Sequence, residues 1–137
     1  MSNEFVPLHF SKILQSKAYT AIILGNETKH FAIYTEPQVG KNLQYLLSEK
    51  EHERPLSHAL FFSILENLGA QLLQVVIYDV EKTLFAAHLF LEQKVGELTN
   101  ILEVDARPSD GVTLALLTGS PILCRKEVLD KTIPFLD

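Results

Sequence analysis

Apolar residues fall in short blocks, and the spacing changes from block to block. "AYTAIILG" (18–25) and "HFAIYT" (30–35) are rich in β-branched and aromatic residues and are separated by the turn-forming "NETK", a hairpin pattern. Upstream, "EFVPLHFSKIL" (4–14) reads as extended, with Pro7 pointing to an edge or a strand start. Pro37 then opens a short helix, because Val39, Leu43, Leu46 and Leu47 recur at helical spacing. After the charged connection "SEKEHER" (48–54), Pro55 starts the strongest helix. Its Leu56, Leu60, Phe61, Ile64, Leu65 and Leu68 form one stripe, with Gly69 at the C-cap position. Phe62 lies off that stripe and leaves apolar surface for a partner.

The pattern then turns to strands. "QLLQVVIYDV" (71–80) and "TLFAAHLFLE" (83–92) are apolar at odd and even positions alike, as strands covered on both faces are. "QKVGE" (93–97) turns the chain into "LTNILEVDA" (98–106). Pro108 begins a third helix that ends near Gly119, "PILCR" (121–125) is a last short strand, and residues 126–130 add a helical turn. Three strands, two helices, three strands, a helix and a strand make an α+β fold. We expect a single domain over residues 1–137, a mostly antiparallel or mixed sheet packed with helices.

Composition narrows the setting. At 137 residues with 47% apolar content, the chain can bury a core without a metal or a disulfide. One cysteine, Cys124, cannot form an internal bridge, which fits a reducing compartment. The start "MSNEFVPLHF" carries no secretory pattern, and no apolar run is long enough to span a bilayer, so a cytoplasmic protein without membrane attachment is expected. The formal charge of −5 argues against indiscriminate nucleic-acid binding but says nothing of a local basic site.

Candidate chemistry gathers where helices begin. "RPLSHAL" (54–60) and "RPSDGVTL" (107–114) both place arginine before a first-turn proline. A helix start presents unpaired N–H groups and a partial positive charge, and arginine adds a planar fork suited to phosphate. Arg54, Ser57, Arg107 and Ser109 are therefore candidate phosphate-binding residues. His58 is a candidate acid or base, and Asp105 and Asp110 can orient an arginine, activate water or share a Mg²⁺ ion. Plain structural roles account for the same residues: Asp110 favouring the helix dipole, Arg107 bridging Asp105, His58 as an ordinary helix residue. Four polar groups within Asp105–Asp110 exceed what capping needs.

These residues also carry a resemblance. "ILEVDARPSDGVTLALLTGSPILCRKEVL" (101–129) resembles the signature of the bifunctional nuclease family, matching Asp105, Ala106, Arg107, Pro108, Ser109 and Asp110 one by one, and Pro121 with Ile122. Upstream, Arg54, Pro55, His58 and Leu60 match the family's second motif, with Ser57 in place of threonine. The chain departs at Ala59, where the family has aspartate, and at Gly111, commonly alanine. The resemblance implies hydrolysis of phosphodiester bonds in DNA or RNA, with His58, Asp105, Arg107 and Asp110 as catalytic candidates and a divalent ion such as Mg²⁺ as a candidate cofactor. The alternative is a non-catalytic oligomeric binding protein of the same fold. Leftover apolar surface points to a homodimer in either case.

Overall fold

Two antiparallel ribbons, each ending at one side of the molecule, are joined through a strand near the C-terminus. The computed structural model describes residues 4–48 and 57–136, with Ser57 described by its backbone alone. The first ribbon is a meander of β1 (Phe5–Gln15), β2 (Thr20–Gly25) and β3 (His30–Thr35). The second is β4 (Ala70–Glu81), β5 (Leu84–Val95) and β6 (Leu98–Ala106). Between them lies β7 (Ile122–Arg125), antiparallel to β1 and parallel to β4, which gives one mixed sheet ordered β3-β2-β1-β7-β4-β5-β6. The expected α+β order holds, down to the closing helical turn.

Four helices complete the fold: α1 (Pro37–Leu47), α2 (Ser57–Asn67), α3 (Pro108–Thr118) and α4 (Lys126–Lys131). All four feed one core cluster, through Leu43, Leu65, Val112, Leu114, Ala115, Val128 and Leu129. The sheet side of that cluster follows from the registers. Ile22 opposes Ile33, Leu24 opposes Phe31, Leu8 opposes Ile122, and Ile122 opposes Val75, so these side chains share the helix-covered face.

The other face differs from expectation. β4 and β5 are not covered on both sides. Tyr78, His88 and Phe90 sit half-buried on the face away from the helices, which among the described residues stays open. Apolar content misleads here because aromatic rings can lie half-exposed on a sheet without a covering layer.

Helix α2 also departs from its expected stripe. Leu65 is buried and Phe61 and Phe62 pack against the core, while Leu60, Ile64 and Leu68 face solvent. Phe62 is therefore a core contact rather than partner surface. Leu56, Pro55 and Arg54, at the expected helix start, lie outside the described residues.

Helix α1 is locked to β2 at Gly40. The buried Thr20 hydroxyl accepts the Gly40 N–H at 3.2 Å and lies 3.0 Å from both Gln15 Oε1 and the Glu36 carbonyl. A Cβ at Gly40 would fall on the Thr20 side chain. Gly40→Ala is expected to destabilise the protein by about 1–3 kcal/mol, overpacking outweighing the gain in helix propensity. Denaturant unfolding checks this, and an unchanged midpoint would contradict the packing described.

Candidate phosphodiester site

Proline sets the local geometry at α1 and α3. Each helix opens with a residue in extended backbone followed by proline in the first turn, Glu36–Pro37 and Arg107–Pro108. The pre-proline residue is pushed out of the helical region, so its side chain leaves the helix end rather than continuing along it. Glu36 and Arg107 therefore project at neighbouring helix starts and pair, with Nη1 to Oε1 at 3.7 Å. Arg107 also holds Asp110, one turn along, through Nε to Oδ2 at 2.9 Å and Nη2 to Oδ1 at 3.4 Å. The hydrogen bond to Asp110 and then that carboxylate's charge push the guanidinium further above its ordinary value, with Glu36 adding to the effect. Arg107 stays charged.

A cavity of about 190 Å³ opens beside this pair. Val39 and Asn42 of α1, His58 of α2, and Arg107, Asp110 and Thr113 of α3 line it. Residues distant along the chain thus meet: an imidazole, a guanidinium and a carboxylate around one small opening. The start of α3 has no side-chain cap, and its first intrahelical bond runs from the Gly111 N–H to the Arg107 carbonyl at 3.0 Å. Gly111 has a packing reason: a Cβ there would meet Val75 Cγ1 at 2.9 Å, so α3 lies closer to β4 than alanine allows.

The remaining sequence-derived candidates stand elsewhere. Asp105 lies on the open sheet face, where it accepts the Tyr78 hydroxyl at 3.3 Å and sits 3.8 Å from His88 Nε2. It does not meet Arg107, and the structure does not bring it together with Asp110. Ser109 is only 4% exposed; its carbonyl accepts the Thr113 hydroxyl at 2.7 Å, and its own hydroxyl makes no hydrogen bond among the described residues. The side chain of Ser57 and the whole of Arg54 lie outside the described residues. Among the described residues, no three or more His, Cys, Asp or Glu side chains gather in a way that could hold a metal ion.

Sequence reasoning missed Glu36, whose role depends on how α1 packs beside α3. It also missed the cluster around His88, stacked on Tyr78 with centroids 3.9 Å apart and with Nδ1 2.8 Å from Glu103. Partial desolvation, followed by the nearby Asp105 carboxylate, raises the Tyr78 phenol above its ordinary range. The signal for this cluster is the strand register, which sets His88 opposite Asp105. A depression of about 470 Å³ near the end of α2 has neither arginine nor histidine in its lining. A second, of about 550 Å³ on the open sheet face, is lined by His88, Glu103 and Arg125, with His88 paired to Glu103 and Arg125 to Glu127. Cys124 belongs to no site, since burial pushes its thiol up to about 12.

The model of the bifunctional nuclease domain matches residues 22–135. Two uncharacterized proteins of Mycobacterium tuberculosis, from strains CDC 1551 and H37Rv, are each 37% identical over 79 residues. That match covers 58% of this chain and 44% of each relative, so the chain spans under half the length of the curated relatives it matches. No helix among the described residues is long and apolar enough to cross a membrane.

Two stability outcomes follow from the geometry. Arg107 and its partners are largely solvent-exposed, so Arg107→Ala is expected to cost no more than about 1 kcal/mol. Ser109→Ala removes a buried hydroxyl that has no partner among the described residues and is expected to be neutral or slightly stabilising. Thermal melts of both variants check this, and a collapse of either would assign its residue a structural duty that these contacts do not explain.

Proposed function

The chain belongs to the bifunctional nuclease domain family, and on that premise we propose that it binds a phosphodiester of DNA or RNA at the α3 start and hydrolyses it there. The observation that carries this reading is the convergence of His58, Arg107 and Asp110 on one cavity. Arg107 presents a charged fork beside the open end of α3, where first-turn N–H groups and the helix dipole favour an anion. A non-bridging phosphate oxygen takes up guanidinium donors directed away from Asp110. As charge builds on the phosphorus oxygens in the transition state, those bonds strengthen. His58 transfers the proton, taking it from the attacking water or giving it to the leaving oxygen. Asp110 acts by holding Arg107 in place through its two hydrogen bonds.

Phosphate binding must displace part of an existing ion pair. Asp110 and Glu36 both offset the Arg107 charge, so the resting site is not strongly positive. Exposed pairs of this kind are worth only about 0–1 kcal/mol, which a bidentate phosphate contact exceeds. The same pairing, with Ala59 in place of the family's aspartate, favours a second reading. In that reading the protein keeps the fold, binds without cutting, and uses Arg107 to fasten α1 to α3.

Cleavage of single-stranded DNA and RNA by the purified protein separates the two. The first reading expects cutting that falls at least ~100-fold in both Arg107→Ala and His58→Ala, with melting temperatures within a few degrees of the wild type. Equal cutting by wild type and both variants would mark the activity as a contaminant. Binding without cutting, accompanied by a large drop in the Arg107→Ala melting temperature, would favour the second. Asp110→Asn adds a finer check: removing the competing carboxylate tightens oligonucleotide binding while loosening Arg107, so affinity rises as turnover falls.

A further inference from the structure

Strand β6 ends the sheet, and its free edge is built unlike the opposite one. At the other side β3 is six residues long, and its edge is partly taken by the C-terminal segment, where the Phe135 N–H donates to the His30 carbonyl at 2.8 Å. β6 is nine residues long and pairs with β5 in an unbroken register, whereas β1–β2 and β4–β5 both carry bulges. Protected edges are usually short, bulged or screened by lysine or proline. β6 has none of these among its residues. It instead exposes Leu98 (70%), Ile101 (57%), Leu102 (40%) and Val104 (42%).

The free edge presents a defined set of groups. Gly96, with φ 62°, sits first in the two-residue turn between Val95 and Leu98, the type II′ requirement. In such a hairpin the closing pair Val95–Leu98 exchanges both backbone bonds. Even-numbered residues of β6 therefore bond inward to β5, and Thr99, Ile101, Glu103 and Asp105 offer N–H and C=O outward.

We propose that β6 is the site at which two copies of this chain pair, antiparallel about a two-fold axis through Leu102, continuing the sheet from one copy into the other. Charge selects this register. The strand and its turn carry Glu97, Glu103 and Asp105 and no basic residue, and like charges directly opposite are destabilising. With Leu102 facing the partner's Leu102, Glu103 faces the partner's Ile101 and Asp105 faces the partner's Thr99. Glu97 then falls toward the partner's Arg107. Sliding by one pair in one direction sets Glu97 against the partner's Asp105, and in the other it sets Glu103 against the partner's Glu103. The register that opposes no carboxylates is also the one in which Leu98–Ala106 overlaps its copy along its full length. Outward-bonding residues meet outward-bonding residues throughout, and Leu102 falls at a non-hydrogen-bonded pair.

That last feature gives a register-specific test on the full chain, independent of any nuclease activity. Light scattering of the wild type is expected to give twice the 15.4 kDa chain mass. Facing residues of a non-hydrogen-bonded pair have Cα atoms about 4.5 Å apart, within disulfide reach. Leu102→Cys is therefore expected to form a covalent dimer on mild oxidation, and Thr99→Cys, exposed on the same strand but facing the partner's Asp105, is expected not to. Cys124 is buried and adds no background. A monomeric mass for the wild type, no cross-link at 102, or equal cross-linking at 99 and 102 would each overturn the proposal.

Discussion

Everything in this molecule depends on β7 being inserted between β1 and β4. Four residues make a parallel ladder on one side and an antiparallel ladder on the other, and without them the two ribbons would be separate meanders. Ile122 and Cys124 bring that junction into the core, the thiol fully buried. The consequence reaches the candidate site. α1 follows the first ribbon and α3 follows the second, so Glu36 and Arg107 meet only because β7 has brought the ribbons side by side.

Proline then turns a packing arrangement into a chemical one. At both helix starts it forces the preceding residue into extended backbone, which frees a charged side chain at the helix end. One start supplies glutamate and the other arginine, and the pair closes one side of a small cavity that His58 reaches from α2. The contacts that orient Arg107 are solvent-exposed and weak, so they position the group without fixing it irrevocably. In the proposed function, a site built this way exchanges a carboxylate partner for a phosphate.

Much of this was legible in the sequence where the signal is local. The β2–β3 hairpin, the Pro37 and Pro108 helix starts and the Gly119 C-cap, with φ 70°, follow from short-range chemistry. Two Arg-Pro dipeptides flag the residues near 58 and near 107, and in the structure His58, Arg107 and Asp110 line one cavity. What failed to show was whatever depends on register or packing face. Helix α2 is apolar nearly all round, so spacing could not tell that Phe61, Phe62 and Leu65 face inward while Leu60, Ile64 and Leu68 face out. Asp105 parts from Arg107 because β6 ends at Ala106: Asp105 still points to the open sheet face, toward Tyr78 and His88, whereas Arg107 already belongs to the start of α3.

In the proposed function, the cavity between α1, α2 and α3 receives a phosphodiester. Nuclear magnetic resonance titration with a short single-stranded oligonucleotide tests it most directly, because it reports location whether or not cleavage occurs. Saturable shifts are expected, concentrated at the Ser109 and Asp110 amides, the Arg107 side chain and the His58 ring. Shifts confined to the open sheet face around Tyr78, His88 and Phe90, or no shifts at saturating oligonucleotide, would contradict it.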